Sequence, residues 1–411
     1  MKRLTQAAAL LLVLATLTAC SPSTSVSASN LTANIQPMDI TAEAAGDFAP
    51  VGNLGIRLLN SAMANGDQNA VISPLSVYIC LTMAMNGADG DTLTAFEEVM
   101  GADTYYANLI CRTAEQMYKK LDGGTELSIA CSAWSDESAN INEDYLKAIV
   151  TNMEAEVYQG DLSSGDTMKD INGWVNKKTS GLIPMLRVEP YPDDTMLVLL
   201  NALYMDAEWQ WPFEFYATHE GTFTAADGEE RTTDFMNMTK NLSLVSMEGA
   251  EGVLLPYKYG RLAFLALLPD GGVADLTASL TAESMQEAIS AARDELLYIR
   301  LPKFDIAYER LMTNDLAAMG LETAFDPDNA NFTPMGSGPN GELYLSTVFQ
   351  KVRIRVDEEG TEAAAVTEIA ATEEAAMIEP IELLFNRPFL YGVVDTQTGL
   401  PLFLGAYDMP A

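Results

Sequence analysis

The clearest alternation of apolar and charged side chains lies in YLSTVFQKVRIRV, residues 344–356. There Val352, Ile354 and Val356 alternate with Lys351, Arg353 and Arg355, a period of two that predicts a strand buried on one face. TMLVLLNALYM, residues 195–205, is instead almost continuously apolar, as expected of a strand covered on both faces. Asn201 sits in the middle of that run, and a buried amide calls for hydrogen-bonding partners nearby. VLLPYKYG and RLAFLALLPD read as two strands joined by a Tyr/Gly turn, and LYIRLPKFDI as one further strand. After PIELLFNRPFLYGVVD comes a turn at Thr398-Gly399 and a last strand. Helical signals come early. In NAVISPLSVYICLTMAMNGADGDT, Ser73 suits the N-cap, Pro74 the first helical position and Gly87 the end. In INGWVNKKTSGLIPML, Ile171, Trp174 and Val175 share a face, Lys177 and Lys178 fall off it, and Ser180-Gly181 stops the helix. Early helices and a sheet-rich second half predict an α+β fold, one domain over 47–411 without a linker.

One stretch fits neither period. EEGTEAAAVTEIAATEEAAMIEP, residues 358–380, is small, apolar and acidic, has no aromatic residue, and lies between two segments that read as strands. Such composition is good helix or linker material. Its charge has a parity, however. Thr361, Ala363, Ala365, Thr367, Ile369 and Ala371 carry no charge, whereas Glu362 and Glu368 share the other parity, and no proline occurs between Gly360 and Glu379. A segment of this kind can enter a sheet with its uncharged side inward and every ladder donor available. Gly360 would give the backbone freedom for the turn into such a strand.

Charge and chemistry narrow the function classes. With 23 basic against 58 acidic residues and a formal net charge of -35, the chain is unsuited to nucleic acid or anionic lipid. The charge serves solubility or the steering of a cationic protein partner. The single histidine, His219, lies in the polar ATHEGTF and reads as a surface or turn residue. The acidic runs at Asp89–Asp91 and Asp326–Asp328 lack the twelfth-position glutamate of a calcium loop. No phosphate loop, nucleophile elbow or zinc motif is present, so neither cofactor nor metal is expected. Cys80, Cys111 and Cys131 are oddly numbered and unpatterned, which suits buried free thiols, or one disulfide with a thiol left over.

Lys2 and Arg3 precede an apolar run, Ala7 to Leu17, that ends in L-T-A-C at Cys20. It is too short to span a membrane permanently, and it resembles a bacterial lipoprotein signal. The resemblance implies removal of 1–19, lipid on Cys20, and an exported chain that touches the membrane only through that lipid, on the cell surface or released from it. The Ser/Thr/Ala-rich residues 20–46 then read as a flexible tether.

The order of segments resembles the serpin family over essentially everything after the tether. The matching runs are NAVISPLSVYICLTMAMNGADGDT, INGWVNKKTSGLIPML, LVLLNALYM with Trp209 to Phe213, LLPY, LPKFDI, the DEEGTEAAA hinge, and FNRPFLYGVVDTQTGLPLFLGAY. The resemblance implies three β-sheets, about nine helices and an exposed reactive-centre loop near 358–380. It also implies a monomeric suicide substrate for serine proteases. In that scheme the cut loop inserts into the central sheet while the enzyme is still an acyl adduct, a strand addition known for the family. The hinge would be Glu358, Glu359, Gly360, Thr361, Glu362, Ala363, Ala364 and Ala365. The reactive bond falls at Glu374-Ala375 counted forward from the hinge, or as late as Met377-Ile378 counted back from Phe385. Glu374 at the bond would suit a glutamate-preferring enzyme, whereas cleavage beside Thr372, Ala375, Ala376 or Met377 would suit an elastase-like or subtilisin-like enzyme, the favoured class; lacking Arg and Lys, the loop does not suit trypsin-like enzymes. Ser73, Ser76 and Asn201 match the family's sheet-opening cluster, but Gln350 stands where the family usually has histidine, which bears on the rate of insertion. The alternative is a non-inhibitory surface binding protein whose loop is only a substrate.

Overall fold

The structure is a computed structural model that describes residues 27–40, 43–119, 121, 125–258, 260–339, 341, 343–361 and 379–410. Among these, nine α-helices form: α1 (Ala49–Ala64), α2 (Pro74–Met85), α3 (Gly90–Met100), α4 (Thr104–Tyr118), α5 (Glu143–Met153), α6 (Gly165–Lys178), α7 (Val273–Ser279), α8 (Ala282–Ser290) and α9 (Thr313–Leu316). The central sheet has seven strands: β1 (Ser29–Asn30), β3 (Glu126–Ser135), β5 (Glu156–Gln159), β6 (Leu197–Glu208), β12 (Phe304–Leu311), β14 (Thr347–Val356) and β15 (Gly360–Thr361). Its order is β1-β5-β3-β6-β14-β12, with β15 on β6. A nine-stranded sheet holds β2 (Val71–Ile72), β7 (His219–Thr224), β8 (Glu230–Met247), β9 (Ala250–Pro256), β10 (Leu262–Pro269), β11 (Arg293–Pro302), β16 (Ile381–Leu384), β17 (Phe389–Asp395) and β18 (Pro401–Tyr407). The third sheet pairs β4 (Asn140–Ile141) with β13 (Gly336–Ser337).

The continuous apolar run of β6 follows from its place between two cores. Val198, Leu200 and Ala202 pack toward Ile171, Trp174 and Val175 of α6, while Leu197, Leu199, Leu203 and Met205 join the main core. Helix α2 is buried on every side, wedged against β3 and β6 on one flank and β18 on the other. That position explains why its sequence shows almost no polar face.

Four expectations need correction. LYIRLPKFDI is two strands of different sheets: Pro302 ends the ladder of β11 with β8, and after Lys303 the chain begins β12, since proline brings no donor for a further bond. His219 is exposed as expected, but it opens an edge strand rather than a turn. The span from Ser27 to Ile40 is no free tether. Ser27 N and Ala28 N donate to Asp170 Oδ2 at 2.5 and 2.9 Å, β1 pairs with β5, and Ala28 is buried in the α6 core. Leu31 and Ile35 pack on the main core, and Ala45 N donates to Thr113 Oγ1 at 2.8 Å. Enough apolar positions recur in this polar stretch to dock it along a sheet edge, so the domain engages from Ser27 rather than Asp47. The fourth correction concerns Gly360 and belongs to the site below. Cys80, Cys111 and Cys131 are buried free thiols, whereas the lipid-site residue Cys20 lies outside the described residues.

Candidate functional site at the hinge and the sheet opening

Strands β6 and β14 run parallel, but their ladder covers only Val198–Ala202 against Thr347–Lys351. Beyond it β14 continues to Val356 paired with β12. The chain then turns back: Asp357 Oδ1 accepts from Glu359 N and Gly360 N at 3.0 and 3.3 Å, and Asp357 N donates to Gly360 O at 3.1 Å. After this turn Gly360 and Thr361 pair antiparallel with Glu208 and Ala207 of β6. The hinge therefore starts a strand between β6 and β14, running in the direction that a strand added there must take.

Gly360 is required for closeness rather than for turning. A Cβ on it would lie 2.1 Å from Ala207 O, a clash that no other residue escapes without pushing the hinge off β6. Thr361 is 3% exposed, so the first residue of the uncharged parity faces inward. Its Oγ1 shares a 2.7 Å hydrogen bond with the Tyr257 hydroxyl. Tyr257 is stacked on Trp209 with ring centroids 4.7 Å apart, and Phe213 meets Trp209 edge-on. Trp209 Nε1 donates to Asp357 O at 2.8 Å, Trp209 N to Glu359 O at 2.9 Å, and Phe213 N to Glu358 O at 2.8 Å. The hinge thus lies in an aromatic cradle with its backbone acceptors engaged.

Glu358 is the buried charge of this cradle. Its carboxylate meets Lys303 Nζ at 2.8 Å and accepts from Thr218 Oγ1 at 2.8 Å. Burial alone would raise its pKa, but the bonds from Lys303 and Thr218 outweigh burial and hold it below the usual glutamate range. It remains ionised at neutral pH.

The second half of the site lies lower in the sheet. Asn201 is level with Gln350 on β14 and with Cys131 on β3. Gln350 reaches to the start of α2, accepting from Ser73 N and donating to Ser73 O, both at 3.3 Å. Ser73 holds the N-cap position, yet its hydroxyl makes no cap bond. Among the described residues Ser73 Oγ, Ser76 Oγ and both amide atoms of Asn201 are buried without a hydrogen-bond partner. The partners expected for Asn201 are adjacent but not engaged, and each such atom costs about 1–3 kcal/mol.

Of the residues singled out from sequence, Glu358, Glu359, Gly360 and Thr361 converge at the hinge, and Ser73, Gln350 and Asn201 at the strand junction, with Ser76 one turn further along α2. Glu362, Ala363, Ala364, Ala365, Glu374, Ala375, Met377 and Ile378 lie outside the described residues. Sequence reasoning gave no role to Trp209, Phe213, Thr218, Tyr257, Lys303 or Asp357. The sequence signal that could have been used was Lys303, a cation at the join between β11 and β12, which the structure sets against Glu358.

A family model described as Serpin (serine protease inhibitor) matches residues 50–410. Serpin-ZXA of Oryza sativa subsp. japonica is 30% identical over 82% of this chain and 89% of its own length. Antithrombin-III of Ovis aries is 27% identical over 84% of this chain and 77% of its own length. Among solved structures, the thermophilic serpin tengpin in its native state superposes with a TM-score of 0.88 at 30% identity, covering 93% of this chain and all of that one. The latent state of tengpin gives a lower TM-score, 0.76, at 31% identity, over 92% of this chain and all of that one. The architecture described above is therefore closer to the native than to the latent arrangement. The chain belongs to the serpin family of serine protease inhibitors.

Proposed function

We propose that this protein traps serine proteases as a suicide substrate, its cut loop entering the central sheet between β6 and β14. The observation that carries this reading is the hinge itself: Gly360 and Thr361 are already paired on β6, antiparallel, at the mouth of the opening. Each further residue would extend that ladder. Insertion of about 14 residues at about 3.3 Å each would carry a tethered enzyme roughly 45 Å, and a displacement of even about 1 Å disables catalytic geometry.

The chemistry needs only the enzyme's own nucleophile. Its serine attacks the carbonyl of the reactive bond, the new amino terminus leaves, and the ester that remains joins enzyme to loop. Zippering then competes with water for that ester. The buried unpaired atoms at Ser73, Ser76 and Asn201 favour rearrangement of the closed sheet. Glu374-Ala375 is our first choice for the bond and Met377-Ile378 the second. The absence of Arg and Lys from 358–380 disfavours trypsin-like targets, and the small or apolar Thr372, Ala375, Ala376 and Met377 support elastase-like or subtilisin-like ones, with a glutamate-preferring enzyme the match for a cut after Glu374. The signal-like segment and Cys20 support export and lipid anchoring of a monomeric inhibitor.

The test is to incubate the domain from Ser27 onward with an elastase and with a subtilisin and to run denaturing gels with intact mass. A band at the summed mass is expected, and the released C-terminal peptide fixes the bond. Clean loop cleavage by both enzymes, with full protease activity left over, would contradict inhibition of these classes.

A further inference from the structure

The end of the central sheet opposite the hinge can be located strand by strand. Leu197 opens β6 and lies level with Ser135 of β3, Ser135 with Gln159 of β5, and Gln159 with Ser29 of β1. The hinge meets β6 at its other end, where Gly360 and Thr361 pair with Glu208 and Ala207. From Ala207 to Leu197 is about 33 Å of extended strand.

The first described residues are fastened at the Leu197 end. Because β1 runs antiparallel to β5, the residues before Ser29 lie at or beyond the level of Leu197. There Ser27 N and Ser27 Oγ both donate to Asp170 Oδ2 of α6, at 2.5 and 2.7 Å. The surroundings are acidic: exposed Glu137 comes just after β3, exposed Asp161 just after β5, and exposed Asp193 and Asp194 just before β6. Such a surface does not adhere to anionic lipid by itself, so a lipid on Cys20 would hold the domain by the connecting link alone. That link is short. Only residues 21–26 separate Cys20 from Ser27, and fully extended it spans at most about 25 Å.

We infer that the lipid-anchored chain stands with the Leu197 end of its central sheet toward the bilayer and its reactive loop away from it, and that the short link limits trapping at the membrane. This rests on the anchored, inhibitory reading above. The loop is displayed to enzymes arriving from solution, but the captive's destination is the other end. Continued from Thr361 opposite Ala207, the register would set Ala371 opposite Leu197 and leave Glu374, our first choice for the acyl residue, just beyond. The enzyme would then arrive at the end that faces the lipid. A protease of about 250 residues is about 45 Å across, more than the full reach of the link. The captive fits only if the domain leans over, so zippering on a bilayer meets a resistance that it lacks in solution. Water, which cleaves the ester to a free carboxylate and restores the enzyme's serine hydroxyl, meets no such resistance. The balance shifts from trapped complex toward cleaved loop.

The test compares the lipidated chain in phosphatidylcholine vesicles with the same chain in detergent, using pancreatic elastase and subtilisin as probes. Cys80, Cys111 and Cys131 are buried, so Glu137→Cys and Glu214→Cys, both at exposed positions, take a dye at the Leu197 end and beside the hinge. Energy transfer to an acceptor lipid should be strong from position 137 and weak from position 214. Trapped complex per cleaved chain should fall by about threefold or more on vesicles relative to detergent. About 15 Gly/Ser residues inserted after residue 26 should restore it, since a link too short for its span cuts effective concentration steeply. Equal transfer from both positions, or matching complex yields on vesicles and in detergent, overturns the inference. Intact mass for the lipid on Cys20, and the complex in detergent, judge the underlying reading separately. A lipidated chain that traps in detergent yet gives either contrary result refutes the inference alone; absence of the lipid or of the complex refutes the reading and the inference with it.

Discussion

The upper and lower halves of the opening are built on opposite principles. At the hinge every polar group discussed has a partner: Glu358 has Lys303 and Thr218, Thr361 has Tyr257, and Asp357, Glu358 and Glu359 have the segment from Trp209 to Phe213. At the strand junction and the α2 turn beside it, Ser73 Oγ, Ser76 Oγ and the Asn201 amide are buried and unpartnered, while Gln350 on Ser73, Cys80 Sγ on Leu200 O and Cys131 Sγ on Ser76 O bridge strand and helix. The difference teaches where the native state is held and where it is ready to yield. On the proposed insertion, the satisfied groups would fix the starting register of the added strand, and the unsatisfied ones would lower the cost of parting β6 from β14.

The comparison can be broken most severely at Thr361. Thr361→Arg places a cation where the Tyr257 hydroxyl and the Trp209 stack leave no room, a burial costing on the order of several kcal/mol. The hinge should leave β6, the domain should stay folded, and the protein should become a plain substrate; trapped complex on a denaturing gel at wild-type yield would refute the inward parity.

Lys303→Ala comes next. It strands the Glu358 carboxylate, 3% exposed as a side chain, although Lys303 itself is 35% exposed and its solvent-screened charge limits the loss. About 1–3 kcal/mol of stability should disappear in urea unfolding at neutral pH. The pH dependence has a definite sign. Because the folded-state pKa of Glu358 is lowered, its contribution is complete above the unfolded glutamate value of about 4.3 and is lost as pH falls through the lower folded value. Wild type and Glu358→Gln should therefore keep a constant stability difference from pH 8 to about pH 6 and converge only in acid; convergence already at neutral pH would contradict the assignment.

Gly360→Ala tests close approach alone. The added Cβ meets Ala207 O, and about 1–3 kcal/mol of overpacking is expected, read as a lower melting temperature together with slower trapping. The smallest effect is of opposite sign. Asn201→Leu removes two unpartnered amide atoms and should stabilise the native form by about 1–2 kcal/mol while lowering inhibitory efficiency; a destabilised variant would show that Asn201 is paired after all.

Much of this was legible in the chain because it depended on local pattern. The alternation in β14 gave its buried face, and the unbroken apolar run of β6 gave a strand covered twice. The charge parity after Gly360 gave Thr361 its inward direction. What stayed hidden depended on distant contacts. Nothing near Gly360 in sequence announces Ala207 O, and nothing in the DEEG turn names Trp209, Tyr257 or Thr218 as its cradle. The polar, Ser-rich run before residue 40 disguised a segment that docks on β5. LYIRLPKFDI looked like one strand because both of its halves are strands, and only the proline between them marks the change of sheet.

The central claim is that the closed sheet is poised to accept its own loop. The most direct measurement is thermal unfolding of the intact domain and of the same domain cut once within 362–378, monitored by circular dichroism. The account predicts a large rise in melting temperature after the cut, because the freed arm completes the ladder begun at Gly360 and Thr361. An unchanged or lower melting temperature, with the single cut verified by mass, would contradict it.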